Sequence, residues 1–519
     1  MQLLHSPEAL VAWRRQQHAP LHFVPTMGAL HRGHQALIRA AATPRAGVEP
    51  AVLVSVFVNP LQFGPEEDFE RYPRDLAADA VLADAAGAAA LFAPEARALF
   101  PGGAGSTTRI RPPDSLTQSL CGPGRPGHFE GVATVVVRLL RLVRPHRLWL
   151  GEKDWQQLVI LRRVITDLGL PVQVHGVGTV REPDGLPCSS RNSYLSERER
   201  QQAAALPGAL AAVARRALQD PLPCASPPAQ LRSLLEEQGL QVDYAQWVEA
   251  HTLQPAHRVS GLTLLAAAAH CGSARLIDHT FLMSRAPIVA IDGPAGAGKS
   301  TVTRAFASRL GLVYLDTGAM YRAVTWWLQH QGVDPSDPAA VAAQLGELDL
   351  GFRGTGEEQR VLLRGLDITE AIRSPEVTAA VSVVAAYGCV REALTTQQQA
   401  MGSRGGLVAE GRDIGTAVFP EADLKVFLTA TVAERARRRA RDLRERGFAV
   451  PSLAELEAQI AERDHRDSSR AVAPLQMAQD AVELVTDGMG IEAVIQALMD
   501  LFRERVPHDA WPDPLTGAA

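Results

Sequence analysis

The 519-residue chain has five cysteines, at 121, 188, 224, 271 and 389, and no two stand as CxxC. That spacing argues against a zinc site, and so few thiols argue against a disulfide framework; isolated thiols in a reducing compartment are the default. Long apolar runs are missing as well. The window 76–93 is broken by Asp79 and Asp84, 262–269 is too short to cross a bilayer, and 1–15 lacks the basic start and apolar stretch of an export signal. The expectation is a cytoplasmic protein that does not engage a membrane. An excess of one charge is also lacking: 52 Lys and Arg stand against 57 Asp and Glu, net charge −5, whereas a chain whose main partner is nucleic acid leans basic. No repeat of 20–50 residues is visible. What is present is 46% hydrophobic and 21% charged residues, an ordinary globular composition with material for about three or four folding units.

Short apolar runs at 21–24, 51–58 and 147–150 predict strands, and 131–142 and 196–218 predict helices, an α/β pattern. The Pro-rich stretch 220–228 interrupts it and marks a surface connection between two lobes of the first half, placed at 1–180 and 181–283, the second a smaller α+β unit. At 283–287 the chain passes through MSRAP and starts afresh with an apolar run at 288–291, so the main boundary falls there and a second half spans 284–505. The stretch 506–519 holds three prolines and no apolar period, and is expected to fray.

In the second half GPAGAGKS (293–300) fits GxxxxGK[ST], between a strand-like run and a helical stretch. Gly293, Pro294, Ala295, Gly296, Ala297 and Gly298 would form a loop that turns its backbone N–H groups, which Pro294 lacks, onto phosphate oxygens ahead of Thr301 and the helix. Lys299 would reach the β- and γ-phosphates, and the Ser300 hydroxyl would help hold Mg²⁺. A P-loop alone does not separate GTPase, motor and kinase. Downstream stand DTGAMYR (316–322), VRE (390–392), EGRDIGT (410–416) and ERDHRDSSR (462–470), with no plain NKxD. This ordered set resembles the cytidylate kinase family over about 288–500. The resemblance implies a P-loop nucleoside-monophosphate kinase acting on CMP or dCMP, with Thr317, Tyr321 and Arg322 on the CMP side and Ser382 and Asp413 near cytosine and sugar. Arg391 and Arg412 would contact phosphate, while Arg463, Asp467 and Arg470 complete the pocket, Arg463 and Arg470 joining Lys299 as catalytic groups. Several arginines suit the chemistry, because moving a phosphoryl group between two polyanions needs counter-charge. Relatives usually carry Ser where Thr317 stands; the hydroxyl survives. The arginine-rich run 434–446 reads alone as an RNA-binding helix or as a solvated helix of i,i+4 pairs. The resemblance makes it the mobile lid, with Arg438 reaching the ATP phosphates.

In the first half PTMGALHRGH (25–34) follows a strand and ends in an HxGH pair opening a helical stretch. His31 and His34, three apart, share one helix face and can both hydrogen-bond one triphosphate, Gly33 allowing close approach. A surface pair or a metal site is the alternative, but a zinc site needs a third ligand and no HExxH or cysteine pair is present. The companions are SVFVNPLQF (55–63), RYPR (71–74), RPGHFEGV (125–132), GEKDWQQL (151–158), CSSRNSYLS (188–196) and RLIDH (275–279). Together they resemble pantothenate synthetase, also called pantoate:β-alanine ligase, over about 1–283.

That resemblance implies a Rossmann-like nucleotidyltransferase lobe with a small α+β lobe, and a two-step ligation through pantoyl adenylate. The ATP site would comprise Met27, Gly28, Ala29, Leu30, His31, Arg32, Gly33 and His34 with Gly151, Glu152, Lys153, Asp154, Val180 and Cys188. Ser189, Ser190 and Arg191 would form a mobile phosphate-gripping loop. His34, His31 and Lys153 would be catalytic, Gln62 and Gln157 would bind pantoate, and Asn59 would support that pocket. Arg125 and His128 read equally as phosphate contacts or as loop-ordering residues, and Gln156 as structural. Trp155, Cys121 and His279 depart from the commoner residues of the family.

Taken whole, the expectation is a fusion of the two enzymes, both using ATP with Mg²⁺, without zinc, haem or flavin. Its partners would be the small substrates and a second copy of the chain through the ligase half, not nucleic acid. One alternative keeps only one half active. A second, an RNA-associated protein, is disfavoured by the net charge and by the lack of an aromatic–basic platform.

Overall fold

The computed structural model describes residues 1–65, 67–219, 226–353, 359–445, 447–470 and 472–514. It divides into two compact units, Met1–Ser284 with Val506–Pro512, and Arg285–Arg505 with Asp513–Ala519. Most of the expected connection at 220–228 lies outside the described residues, as do Cys224 and Arg446.

The first unit is built on six strands, β1 (Gln2–Leu4), β2 (Leu21–Thr26), β3 (Ala51–Val56), β4 (Ala90–Phe92), β5 (Arg147–Gly151) and β6 (Gln173–Val177), in the order β1-β4-β3-β2-β5-β6. Every pair is parallel. The Val-, Leu- and Phe-rich strands are buried on both faces, as parallel sheets flanked by helices require. The chain leaves β2 for β3 on one side and later returns to β5 on the other. The crevice beyond the ends of β2 and β5 is therefore a topological switch point, where open α/β sheets bind ligands. The helix read at 131–142 runs from His128 to Val143. The one read at 196–218 is two, Glu197–Ala203 and Ala205–Gln219. Pro207 near the start of the second has no N–H to give to the preceding turn, so one continuous helix is broken there.

The smaller lobe has an antiparallel sheet β7 (Gln241–Glu249), β8 (Leu262–Cys271) and β9 (Ala274–Met283) around its own core, which includes Leu206, Leu210, Leu231 and Leu265. Residues 506–512, expected to fray, instead form a turn in which the Pro507 carbonyl accepts from Ala510 and Trp511, with Val506 buried.

In the second unit the strands are β10 (Ile288–Asp292), β11 (Val313–Asp316), β12 (Leu350–Arg353), β13 (Arg360–Leu363), β14 (Leu366–Asp367), β15 (Leu407–Gly411), β16 (Leu424–Thr429) and β17 (Val482–Val485). Five make a parallel sheet, β11-β15-β10-β16-β17, and β12-β13-β14 a small antiparallel one. Helix Lys299–Leu310 starts where the glycine-rich loop after β10 ends. The arginine-rich helix Val432–Glu445 packs on Leu453–Ser468 through Ala436, Ala440 and Leu456. Among the described residues no single helix is long and apolar enough to cross a membrane.

Candidate active sites

At the end of β2 the chain must turn sharply. Gly28 (φ +85°) and Ala29 (φ +50°) adopt left-handed conformations, and the Ala29 and Leu30 N–H groups donate to the Asp79 carboxylate at 3.1 and 2.7 Å. Asp79 is 2% exposed on helix Leu76–Ala85. In the sequence it stands only as one of two acids, with Asp84, in a helix otherwise made of Ala, Leu and Val, and nothing local tells the one that turns inward from the other.

The turn delivers His31 to the N-cap of helix Arg32–Ala42, where its Nδ1 accepts from Gly33 N–H (3.2 Å), while His34 Nδ1 accepts from His31 N–H (3.4 Å). A neutral imidazole that accepts at Nδ1 carries its proton on Nε2. Burial, then the Lys153 charge, lowers His31 to about 4; burial, then His31 and Lys153, lowers His34 to about 3. Both are neutral at pH 7, and each offers one Nε2–H donor.

They face a cavity of about 250 Å³. It brings together Met27, His31, Gly33, His34, Asn59, Gln62, Gly151, Lys153, Asp154, Gln157, Val180, Cys188, Ser189, Ser190 and Arg191 from segments far apart in the chain. Gly28, Ala29, Leu30, Arg32 and Glu152, expected at the ATP site, do not line it. The first three shape the loop, the mostly exposed Arg32 side chain lies 4.0 Å from Glu182, and Glu152 is buried with its carboxylate accepting from the N–H groups of His508 and Asp509.

Gln62 is held by its neighbours. Asn59 Nδ2 donates to Gln62 Oε1 (3.0 Å) and to the Gly131 carbonyl (3.1 Å), and Gln62 Nε2 lies 3.1 Å from Met27 Sδ. His128 Nδ1 donates to the Gln62 carbonyl at 2.8 Å, and Arg125 pairs with Glu67, so both residues order this loop. Arg191 makes a two-pronged pair with Asp68 at 2.8 and 2.9 Å. Gln156 is buried, its amide donating to the carbonyls of Leu116 and Ser119 and accepting from Cys121 N–H. A second cavity of about 210 Å³ shares Lys153, Gln157 and Arg191 and continues to Cys121, Tyr244 and Arg275.

In the second unit the glycine-rich loop also follows a central strand. Gly293 takes φ +149°, and a Cβ there would sit 2.0 Å from the Leu428 carbonyl oxygen, so no other residue fits. Lys299 is buried, its Nζ donating to the carbonyls of Gly293 (2.8 Å) and Pro294 (2.9 Å), and burial, then Arg412, lowers it to about 7. Ser300 Oγ and the Tyr314 hydroxyl each donate to the Glu410 carboxylate at 2.8 Å. Asp292 accepts from the N–H groups of Ile414 and Gly415, and burial raises it to about 6.

The expected monophosphate residues gather nearby. Arg391 lies 3.3 Å from Asp413 and donates to the Tyr321 hydroxyl, Arg412 pairs with Asp467 at 3.1 Å, and Arg470 also pairs with Asp467. Burial, then Arg412, lowers Arg463. Thr317 Oγ1 donates to the Glu410 carbonyl (2.6 Å), and Arg322 pairs with Asp316. Ser382 is exposed on helix Pro375–Val384 and makes no hydrogen bond to this cluster among the described residues. Arg438 donates to the carbonyls of Ala297 (3.1 Å) and Thr486 (2.6 Å), beside the phosphate loop. Arg435, singled out by nothing in the sequence, is buried and joins Asp464 to the carbonyls of Ala295 and Ala430. Among the described residues no group of three or more His, Cys, Asp or Glu is placed to hold a metal ion.

The family model for pantoate–β-alanine ligase matches residues 2–281, and that for cytidylate kinase matches 289–504. A bifunctional pantoate ligase/cytidylate kinase of Prochlorococcus marinus (strain MIT 9313) is 64% identical over 96% of this chain and 99% of its own length. One from Parasynechococcus marenigrum (strain WH8102) is 62% identical over 99% of this chain and all of its own. A solved pantothenate synthetase from Thermus thermophilus is 44% identical, covering 54% of this chain and 98% of that one, with a TM-score of 0.48.

Proposed function

The chain belongs to the bifunctional pantoate ligase/cytidylate kinase family, and from that premise we propose how its two sites carry out the two reactions. In the first unit the pantoate carboxylate attacks the α-phosphorus of ATP, releasing pyrophosphate. The β-alanine amine then attacks the carbonyl of pantoyl adenylate, forming the amide as AMP leaves. No enzyme nucleophile is required. The two neutral imidazoles donate Nε2–H bonds to the phosphates, Lys153 adds fixed positive charge where pyrophosphate departs, and the Gln62 and Gln157 amides hold the hydroxyls and carboxylate of pantoate. Arg191 exchanges Asp68 for phosphate when the loop 188–196 closes.

In the second unit a CMP phosphate oxygen attacks the γ-phosphorus of ATP and ADP leaves. Arg391, Arg412, Arg463 and Arg470 balance the charge spread over the transferring oxygens, while Asp413 and Asp467 orient those guanidiniums and recognise sugar or base. Lys299 leaves its two carbonyls for the phosphates, which restore the charge that burial opposes. The Ser300 hydroxyl beside the Glu410 carboxylate is an oxygen donor set suited to a hard cation, so Mg²⁺ would be held there with ATP, where it neutralises phosphate charge. We place the protein in the cytoplasm, as a homodimer through its ligase half.

The observation that carries the reading is one phosphate-binding loop at the end of a central parallel strand in each unit, after β2 and after β10. Phosphorus NMR with ATP, Mg²⁺, pantoate, β-alanine and CMP tests it. Pyrophosphate and CDP should both appear; Lys299→Ala should remove CDP alone and His34→Ala pyrophosphate alone. A folded variant that silences both would mean the sites are not independent.

A further inference from the structure

The segment Val506–Pro512 lies beyond both family matches, which end at 281 and 504, yet it belongs to the first compact unit. Its backbone and one side chain grip two loops of the ligase cavity. The N–H groups of His508 and Asp509 donate to the two oxygens of Glu152, both at 2.9 Å, and Glu152 stands between Gly151 and Lys153, which line the cavity. The Asp509 carboxylate accepts from Thr179 N–H (2.8 Å) and from the Thr179 hydroxyl, and Gly178, Thr179 and Val180 line the same cavity. The fit against this second loop is close: a Cβ on Gly178 would lie 3.1 Å from Asp509 Oδ1 and 3.2 Å from His508 Cβ.

We infer that this segment is a working part of the ligase nucleotide site, with Asp509 a positioning residue that holds the Thr179 loop for ATP while the neighbouring N–H groups hold the Lys153 turn. The inference rests on reading that cavity as the ATP site. Glu152 is 1% exposed, and losing the two N–H donors would strip this buried carboxylate of both its described hydrogen bonds, a cost that favours displacing the turn carrying Lys153. Further along, the chain is fixed where Arg181 pairs with the buried Asp278 at 2.8 and 3.0 Å and the Val180 carbonyl accepts from Cys188 N–H, so releasing Asp509 loosens Gly178 and Thr179, the stretch of that strip just before those anchors.

The test uses the full chain and steady-state release of pyrophosphate. Asp509→Ala is expected to raise the KM for ATP about tenfold, leaving the KM for pantoate and the rate of CDP formation at wild type. Asp509→Asn keeps an acceptor for Thr179 N–H and should stay within about twofold of wild type. A wild-type ATP KM in Asp509→Ala overturns the inference, and so does an equal rise in both KM values, which would mark a merely structural role. If Asp509→Ala does not fold, Thr179→Val, which deletes one of the two contacts, should raise the ATP KM about threefold, and no change there overturns the inference. His34→Ala, run in parallel, separates the two failures. If it remains active, the reading of the cavity is wrong. If it is dead while Asp509→Ala behaves as wild type, only the inference falls.

Discussion

Asp79 is the strongest single test of how the ligase phosphate loop is held. Its carboxylate receives the N–H groups of Ala29 and Leu30, the residues through which the chain doubles back from β2 to present His31. Hydrogen bonds to a charged acceptor contribute about 1.5–3 kcal/mol each, or about 3–6 kcal/mol together. Against that stands the cost of burying the carboxylate, visible as an upward shift of its pKa by desolvation. Asp79→Ala strands two donors at about 1–3 kcal/mol apiece, so a loss of about 3 kcal/mol is expected. For a unit of this size that lowers the melting temperature by about 6–12 °C. Asp79→Asn keeps one acceptor but points an amide at the other N–H, and should fall between. Because the loop aims both imidazoles, kcat/KM for ATP in pantothenate formation should drop about 10- to 100-fold in Asp79→Ala, with CDP formation from the same preparation unchanged. Calorimetry and paired product assays read both effects. An alanine variant with wild-type ligase kcat/KM and an unmoved transition would show that the loop holds its shape without Asp79, and the reasoning would fail.

Gly131→Ala would put a Cβ 2.1 Å from the Leu61 carbonyl oxygen and push away the turn carrying Gln62; the KM for pantoate should rise at least about tenfold with little change for CMP, measured by initial rates. Acid should weaken the first unit selectively. Burial lowers His22 to about 4, His128 to about 4 and His175 to about 2. Below about pH 6.5 the unfolded chain therefore binds protons that the folded unit refuses, and stability falls by about 1.4 kcal/mol per pH unit for each. The second unit's own span carries only His330 and His465, both exposed. Urea midpoints at pH 7 and 5 check this, and a first-unit midpoint that does not move refutes it. Glu410→Gln should raise the Mg²⁺ concentration needed for half-maximal CDP formation several-fold, since the residue accepts from Ser300; an unchanged Mg²⁺ titration would remove Glu410 from the metal's surroundings.

What the sequence disclosed and what it hid follow from the range of the interactions. β2, β3 and β5 were legible because each is a short run buried on both faces, and apolar continuity is a local property. The two phosphate loops were legible for the same reason: glycines, a lysine or paired histidines, and a helix start lie within ten residues of one another. The break at Pro207 was also local, and was missed because amphipathic periodicity on either side of it outweighed one missing N–H.

The acids that turned inward were of another kind. Asp79 finds its donors at 29 and 30, Glu152 finds its own at 508 and 509, and Asp292 finds its own at 414 and 415. In each case the partner is a backbone N–H, which every residue but proline carries, so side-chain identity at the far end leaves no mark that a reader could match. Glu152 therefore read as an ATP contact from its place in GEKD, and 506–512 read as a frayed end from its prolines, although the one orders the other. Carboxylate-to-backbone pairing of this sort hides a site's supports more thoroughly than side-chain pairing does. For that reason the residues that position these two active sites, rather than those that meet the substrates, are where the structure adds most to the sequence.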